Sequence, residues 1–305
     1  MNKKTKCIIV IAGPTAVGKT ALSIYLAHKY KTVILSADSR QFYRELEIGT
    51  AKPTQKELEE TKHYFINNLS IHDNYNVGHF EKDALNLLEE LFLLHDVVIV
   101  TGGSGLYVKA LCNGLDAMPS VPDSIRDRWN AVFKERGLGY LQEELKRVDI
   151  DYFQEVDINN PMRLIRGLEV FEASGKNMSY WRSTNNEIER PFKVIKVGLN
   201  RDREELYSRI DDRMTQMISE GLFDEAKKFY PLRSLNALQT VGYSEIFGYL
   251  DGEYDKVEAI RLLARNSRRY AKRQITWFNK DETFQWFHPN SEHGIQEYIE
   301  QQIGS

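Results

Sequence analysis

The stretch Gly13-Pro14-Thr15-Ala16-Val17-Gly18-Lys19-Thr20 fits the phosphate-binding pattern G-x-x-x-x-G-K-[ST]. It follows the apolar run Cys7–Ala12, which predicts a buried parallel strand, and it precedes residues 21–27, which predict a helix. In such a loop, backbone N–H groups converge on an anion at a helix N-terminus, the lysine adds a positive charge, and the final hydroxyl can ligate Mg2+. This phosphate loop (residues 13–20) therefore predicts a site for a diphosphate or a triphosphate, of which ATP and GTP are the usual examples.

Two further apolar runs, residues 32–36 and 96–100, predict buried strands that end in polar turns. Asp38 follows the first run, and the turn Gly102-Gly103-Ser104-Gly105 follows the second. Ligands of open parallel sheets bind beyond the carboxyl ends of the strands, so we expect Asp38 near the phosphate loop. This order of elements predicts an α/β fold, a P-loop NTPase-like parallel sheet flanked by helices.

The pattern changes near Pro119, where predicted helices replace strands. Helices are predicted over residues 123–136, 140–147 and 161–173, and the next strand is predicted over residues 192–199. We therefore predict an α/β core formed by residues 1–118 and 191–305, and a helical insertion domain formed by residues 119–190.

Composition places the chain among folded proteins without a membrane partner. Of its 305 residues, 42% are hydrophobic and 28% are charged, which is ordinary for a globular protein. The sequence contains no apolar run of membrane-spanning length and no signal-peptide pattern, so we expect a cytoplasmic protein. Nothing in it resembles a dimer seam, and we expect a monomer.

The net charge of −3 is unevenly distributed. Residues 259–280 contain seven basic residues and no acidic one: Arg261, Arg265, Arg268, Arg269, Lys272, Arg273 and Lys280. The 4-3-4 spacing from Arg261 to Lys272 predicts a basic stripe on one helix, which favours contact with nucleic-acid phosphates over a merely solvated face. Tyr270, Trp277 and Phe278 can stack on bases, although core packing is the more usual role for the last two.

Asp38 has two chemical interpretations, a ligand of Mg2+ or a general base, beside a purely capping role. The strand that ends near Val100 runs into Thr101-Gly102 and lacks the acidic residue of an ordinary ATPase. Arg209 and Arg213 share a helical face, so either can hold a diphosphate or form a surface ion pair.

Four ordered blocks, GPTAVGKT, SADSRQFY, TGGSGLY and RRYAKRQITWF, resemble those of the tRNA dimethylallyltransferases, also called tRNA isopentenyltransferases. The blocks NPMRLIRGLEVFEASGK, LNRDREELYSRIDDRM and LQTVGYSEI extend the resemblance over nearly the whole chain. It implies transfer of a dimethylallyl group from dimethylallyl diphosphate to the exocyclic N6 amine of the adenosine just 3′ of the tRNA anticodon, with Mg2+ and release of diphosphate.

The resemblance also implies site residues. The phosphate loop, with Lys19 and Thr20, would hold the donor diphosphate, Thr20 would bind Mg2+, Arg213 would contact the diphosphate, and Asp38 would be the general base. The anticodon stem-loop of tRNA would be contacted by residues from the site, the insertion and the basic stripe. They are Asp38, Ser39, Arg40, Gln41, Ser104, Arg126, Met162, Arg163, Leu164, Ile165, Arg166, Arg268 and Arg269.

The chain departs from that family's usual pattern at three places. Ser104 replaces a threonine, the segment Lys62-His63-Tyr64 replaces paired histidines, and Asn279 replaces a basic residue. The zinc-finger extension of the eukaryotic members is absent, so no metal other than Mg2+ is implied.

Two alternatives to a tRNA prenyltransferase use the same phosphate loop. A small-molecule kinase or an adenylate prenyltransferase would not need the basic stripe or the insertion arginines. A non-catalytic, nucleotide-switched RNA-binding module would not need Asp38 beside the loop.

Overall fold

The computed structural model describes residues 6–184 and 188–304, which form two compact units. The core unit contains the residues up to Asn113 and those from Arg190 onward, and the insertion unit is Gly114–Glu189. These limits lie within a few residues of those expected from the sequence. The prediction that the insertion domain contacts tRNA while the core holds the phosphate loop remains a prediction.

The core unit is built on a six-stranded sheet in the order β3-β2-β4-β1-β5-β6, in which every pairing is parallel. The strands are β1 (Cys7–Ala12), β2 (Ile34–Ser36), β3 (His63–Tyr64), β4 (Val97–Gly102), β5 (Lys193–Leu199) and β6 (Gln285–Phe287). The predicted α/β fold with a parallel sheet is confirmed. The sequence did not reveal β3 and β6, because strands of 2 and 3 residues are too short to show a periodicity.

Helices cover both faces of this sheet and extend beyond it. Those of the core unit are α1 (Lys19–Tyr30), α2 (Gln55–Glu60), α3 (Val77–Leu91), α4 (Gly105–Asn113), and, after the insertion unit, α9 (Arg203–Ser219), α10 (Leu222–Phe229), α11 (Tyr243–Leu250), α12 (Lys256–Phe278) and α13 (Glu292–Gly304). Two 3-10 turns, Tyr230–Leu232 and Asn236–Leu238, join α10 to α11.

Strand β1 is buried on both faces, which explains its unbroken apolar sequence. Ile9 and Ile11 pack in one cluster with Leu26 of α1, whereas Ile8 packs in a second cluster with Phe80 of α3. Because side chains alternate along a strand, a fully covered strand needs apolar residues at every position. The phosphate loop thus begins at a rigid central strand.

Helices are the regular secondary structure of the insertion unit over its described residues, 114–184 and 188–189. Its helices are α5 (Asp123–Val148), α6 (Ile150–Glu155), α7 (Pro161–Ser174) and α8 (Met178–Ser183). A non-helical backbone at Gly137 interrupts α5, which is why the sequence suggested two helices there. Its separate core is formed by Leu141, Leu145, Leu164, Ile165 and Leu168.

Throughout the described ranges, every helix is too short or too polar to cross a membrane.

Candidate active site

The phosphate loop turns directly into helix α1. Gly18, the residue before the helix, has φ of 114°, a left-handed conformation that favours glycine. Lys19 and Thr20 then form the first turn of α1, where backbone N–H groups lack acceptors within the helix. The loop therefore presents amides, an ammonium and a hydroxyl at one end of the sheet, as the sequence predicted.

Lys19 folds back on the loop. Its Nζ donates to the carbonyl oxygens of Gly13 at 3.0 Å and Pro14 at 2.8 Å. Burial lowers the pKa of Lys19 to about 8, an effect that the negative charge of Asp38 opposes and the positive charge of Arg213 reinforces. An anionic ligand would relieve this unfavourable burial of charge.

Three arginines outside the loop bond to it or to the segment beside it. The Nε atoms of Arg201 and Arg209 donate to the carbonyls of Val17 at 2.8 Å and Ala16 at 2.9 Å. Arg213 donates to Ala51 O at 2.9 Å and lies 3.4 Å from Thr15 Oγ1. Within the described part of the chain, Arg209 and Arg213 form no salt bridge, so their charge remains available to an anion.

A cavity of about 610 Å³ opens beside the loop and is bounded entirely by residues of the core unit. Lys19, Thr20, Asp38, Arg213, Tyr270 and Gln274 line it. The carboxylate of Asp38 interacts electrostatically with Lys19 and Arg213. The expectation that Asp38 lies near the phosphate loop is therefore confirmed, whereas its chemical role stays a prediction.

The carboxylate of Asp38 is oriented by the backbone that follows it. Its Oδ1 accepts hydrogen bonds from the N–H groups of Arg40 at 2.9 Å and Gln41 at 3.4 Å. Among the residues that the structure describes, no donor contacts Oδ2. One oxygen thus fixes the side chain, while the other can accept a proton from a ligand.

Ser104 supports the segment that carries Asp38. Its Oγ accepts a hydrogen bond from Ser39 N at 2.9 Å and donates one to Ser39 Oγ at 3.1 Å. The Tyr270 hydroxyl also forms a hydrogen bond with Ser104, and burial together with the nearby Asp38 raises the pKa of Tyr270 to about 12. The hydroxyl of Ser104 therefore stabilises the position of the Asp38 segment through hydrogen bonds.

Gln274 is a site residue that the sequence analysis missed. It is only 6% exposed, and it contacts both the phosphate loop and the Gly-rich turn after β4. The available signal was its helical spacing from Ser267 and Tyr270, which also line the cavity. The basic residues near it in the sequence instead indicated a surface role for this helix.

Gln41 and Arg40, both predicted to touch tRNA, form side-chain hydrogen bonds with other residues of the core unit. Ser36 Oγ donates to Gln41 Oε1 at 3.1 Å, and Gln41 Nε2 donates to Ala51 O at 3.2 Å. Arg40 donates to Gln239 O at 3.3 Å from a half-exposed position. Gln41 thus holds neighbouring segments together, while Arg40 retains access to solvent.

In the insertion unit, two predicted tRNA contacts converge on one buried carboxylate. The Glu169 side chain is 0% exposed and accepts hydrogen bonds from Arg126 Nε at 2.9 Å, Arg126 Nη2 at 2.7 Å and Arg166 Nη1 at 2.7 Å. Burial would raise the pKa of Glu169, but the two arginines outweigh it and hold that pKa below its usual value. Both arginines therefore already have an anionic partner.

The rest of that predicted contact stretch is divided between core and surface. Leu164 and Ile165 have side chains buried in the insertion core, and contact of this stretch with tRNA stays a prediction. Met162 is 61% exposed, and Arg163 is also exposed. An amphipathic helix places only part of any five-residue stretch at the surface.

The basic stripe lies on α12, and part of its charge is paired. Glu258, directly before the acid-free stretch, binds Arg261 one turn further along, and Asp211 of α9 accepts a hydrogen bond from Arg268 at 2.8 Å. The acidic partners of the stripe thus come from the residue before the stretch and from another helix, and contact of the stripe with nucleic-acid phosphates stays a prediction. Arg269 is exposed and makes no salt bridge or hydrogen bond through its side chain in the described ranges.

The two aromatic residues at the end of α12 differ in burial. Phe278 is buried in the core, as expected. Trp277 is 40% exposed, contrary to its expected core packing, and its ring lies against Gly105 at the start of α4.

A model of the IPP transferase family matches residues 41–281 of this chain. The tRNA dimethylallyltransferase of Cytophaga hutchinsonii is 52% identical over 303 residues, which cover 99% of each chain. The tRNA dimethylallyltransferase 1 of Bacteroides fragilis is 47% identical over 98% of this chain and 99% of its own length.

Two solved structures of similarly named enzymes also resemble this chain. The full-length tRNA isopentenylpyrophosphate transferase of Bacillus halodurans superposes with a TM-score of 0.72 at 33% identity, covering 99% of this chain and 97% of its own. A eukaryotic dimethylallyltransferase described as acting on tRNA gives a TM-score of 0.72 at 27% identity, covering 90% of this chain and 70% of its own.

Proposed function

Because this chain belongs to the IPP transferase family, we propose that it transfers a dimethylallyl group from dimethylallyl diphosphate to the N6 amine of the adenosine 3′-adjacent to the tRNA anticodon, releasing diphosphate. The observation that carries the proposal is the placement of an acid and an anion site in one cavity. Asp38 lines the same cavity as Lys19 and Arg213. The phosphate loop then serves a leaving group instead of a nucleotide.

The anion site performs the first part of the chemistry. Cleavage of the allylic C–O bond leaves its electron pair, and therefore negative charge, on the departing diphosphate. Lys19, Arg213 and the amides at the start of α1 stabilise that charge where it develops. Hydrogen bonds to carbonyl oxygens hold the Lys19 and Arg213 side chains beside the cavity.

Asp38 performs the second part. As the N6–C bond forms, the amine nitrogen must lose one proton, and the unpartnered Oδ2 of Asp38 accepts it. Because this amine lies on a base that stacks within the tRNA loop, the adenosine must leave its stack to enter the cavity.

Mg2+ fits this donor set as a partner of the substrate. In the described ranges, no cluster of three or more histidine, cysteine, aspartate or glutamate side chains could hold a metal by itself. Magnesium sites that serve phosphates commonly use one or two protein oxygens, and the remaining ligands come from phosphates and water. Thr20 Oγ1 would hold the ion together with oxygens of the diphosphate and water, and the ion would add positive charge at the diphosphate.

Positive side chains outside the cavity supply the proposed tRNA contacts. Arg269 of α12 and Arg163 of α7 are exposed, whereas Arg268, Arg126 and Arg166 already have carboxylate partners. Phosphate contacts with such cations would make tRNA binding weaken as salt is added. We propose a cytoplasmic monomer that binds the anticodon stem-loop.

The test is transfer of label. The protein is incubated with isotopically labelled dimethylallyl diphosphate, Mg2+ and unmodified tRNA, and the label on the nucleic acid is then mapped by nuclease digestion. The expected product carries label on the adenosine 3′ of the anticodon.

A matched tRNA with guanosine at that position should remain unlabelled. Absence of label on any tRNA, together with phosphate transfer from ATP to a small molecule, would replace the proposal with a kinase. Binding of tRNA that depends on a nucleotide, without any transfer, would replace it with an RNA-binding module.

A further inference from the structure

We propose that Gln274 is a positioning residue that fixes the distance between the donor's diphosphate and the acceptor base. It does so by tying the phosphate loop to the turn that supports Asp38. This inference rests on the proposed function and assigns to it a residue that touches neither substrate.

The side-chain amide of Gln274 bridges two loops of the core unit. Its Oε1 accepts a hydrogen bond from Thr15 N at 2.9 Å, and its Nε2 donates one to Gly103 O at 2.9 Å. A Cβ atom at Gly103 would lie 2.2 Å from Gln274 Nε2, so only glycine permits this approach. Both polar ends of a buried amide are thus satisfied.

The bridge matters because the strand before the phosphate loop and the strand before Asp38 are not neighbours in the sheet. The phosphate loop follows β1 and Asp38 follows β2, and β4 lies between these strands, which places their ends about 10 Å apart. The turn after β4 is the only strand end between them in the described sheet. Gln274 joins this turn to the loop, and Ser104 of the same turn joins it to Ser39.

The bridge also decides which loop amides a phosphate meets. Amides of such loops usually converge on the anion, but that of Thr15 is committed to Gln274. The Thr15 amide is consequently held by a side chain, whereas the amides of Gly18, Lys19 and Thr20 bond to no side chain in the described ranges. A diphosphate is therefore held in one register along the loop.

Helix α12 carries Gln274 on the face that builds the cavity. Ser267 and Tyr270 lie on this face and also line the cavity, while Arg269 and Lys272 are exposed elsewhere on the helix. One rigid helix therefore contributes to the alignment of the site and offers cations to a polyanion.

The first experiment compares Gln274→Met with the unaltered protein. Methionine has a similar length but cannot bridge Thr15 N and Gly103 O. Loss of alignment by about 1 Å is expected to lower kcat for transfer by about 100-fold, with tRNA affinity unchanged within about twofold. Affinity for inorganic diphosphate, measured by calorimetry, is expected to fall by about tenfold.

Thr276→Val is the matched control on the same helix. Thr276 is exposed, and its hydroxyl bonds only to Lys272 O within α12, so its loss should leave both constants unchanged. The thermal midpoints of all variants are measured so that a folding defect in Gln274→Met is recognised.

The second experiment follows how the activity of one variant changes with pH. A folding defect that is the same at every pH therefore cannot produce the expected result. In Gln274→Glu, a protonated carboxyl can form both hydrogen bonds, whereas a carboxylate would repel Gly103 O. Burial raises the pKa of such a carboxyl, so the activity of this variant relative to the unaltered protein should increase as the pH falls from about 9 to 6. The corresponding ratio for Gln274→Met should be independent of pH.

Either of two results would overturn the inference: a kcat for Gln274→Met within about threefold of the unaltered value, or a pH-independent ratio for Gln274→Glu. If the unaltered protein transfers no label to tRNA, the proposed function fails. The diphosphate affinity of Gln274→Met then still decides whether Gln274 positions the loop.

Discussion

The phosphate loop of the core unit and the arginine cluster of the insertion unit both gather positive charge, but they differ in what the cations contact. Around the loop, Lys19 and Arg213 donate to neutral carbonyl oxygens. In the insertion unit, Arg126 and Arg166 donate to the carboxylate of Glu169. A carbonyl orients a cation without neutralising it, whereas a carboxylate does both.

The pKa values express the same difference. Burial lowers the pKa of Lys19 to about 8, because the ammonium loses water without gaining an anionic partner in contact. For Glu169, burial acts to raise the pKa, but the hydrogen bonds from two arginines reverse the effect. The cations of the loop can therefore still pair with an anion, whereas the arginines of the insertion cluster already pair with Glu169 and stabilise the fold of that unit.

The largest expected effect comes from Asp38→Asn in the core unit. The amide keeps the shape of the side chain but cannot accept the proton from the adenine amine, so kcat for transfer should fall by about 100-fold to 10,000-fold. Affinity for tRNA, measured by filter binding, should change little. A variant that retains its full rate would remove the general-base role.

The next effect concerns the insertion cluster and should appear in stability. Glu169→Gln leaves two arginines without their buried anionic partner, and the free energy of local opening in α7 should fall by about 2 kcal/mol. Hydrogen exchange of the α7 amides measures this opening.

Glu172→Gln is the matched control, because Glu172 binds Arg128 at a partly exposed position of the same helix. Its cost should stay below about 1 kcal/mol. Equal protection in the two variants would contradict the structural role given to Glu169.

A pH dependence distinguishes the loop from the insertion cluster. Lys19 is charged below about pH 8 in the free protein, and above that value it must first gain a proton to pair with the donor. Affinity for dimethylallyl diphosphate, measured by calorimetry without tRNA, should therefore fall by about fivefold between about pH 8 and 9. The Lys19→Met variant should bind weakly with a flat profile, and parallel profiles for the two proteins would show that another group titrates.

The smallest effect compares two neighbouring arginines of α12. Arg269 is exposed without a carboxylate partner in the described ranges, whereas Arg268 binds Asp211. Arg269→Ala should weaken tRNA binding several-fold and reduce the slope of log affinity against log salt by about 1, with a smaller change for Arg268→Ala. Identical slopes for both variants and the unaltered protein would mean that this part of the stripe is only solvated.

Local sequence was enough wherever a feature depends on neighbours in the chain. The apolar run of β1 and the phosphate loop after it were predicted because strand burial and loop chemistry both leave local patterns. The short strands β3 and β6 left none, since 2 or 3 residues cannot show a periodicity. The burial of Leu164 and Ile165 follows from the helical pattern of apolar residues, whereas the family resemblance implies only that residues 162–166 contact tRNA.

By itself, the sequence determined the parallel α/β fold, the phosphate loop and the resemblance to the tRNA dimethylallyltransferases, because these follow from motifs and their order. Only the tertiary structure decided which charges are neutralised and which remain available. Arg268 meets Asp211 from α9, Arg126 meets Glu169 from α7, and Gln274 meets Thr15 from the far end of the chain. Such pairings form when distant segments pack together, and the physical consequence of a charge depends on the partner that packing brings to it.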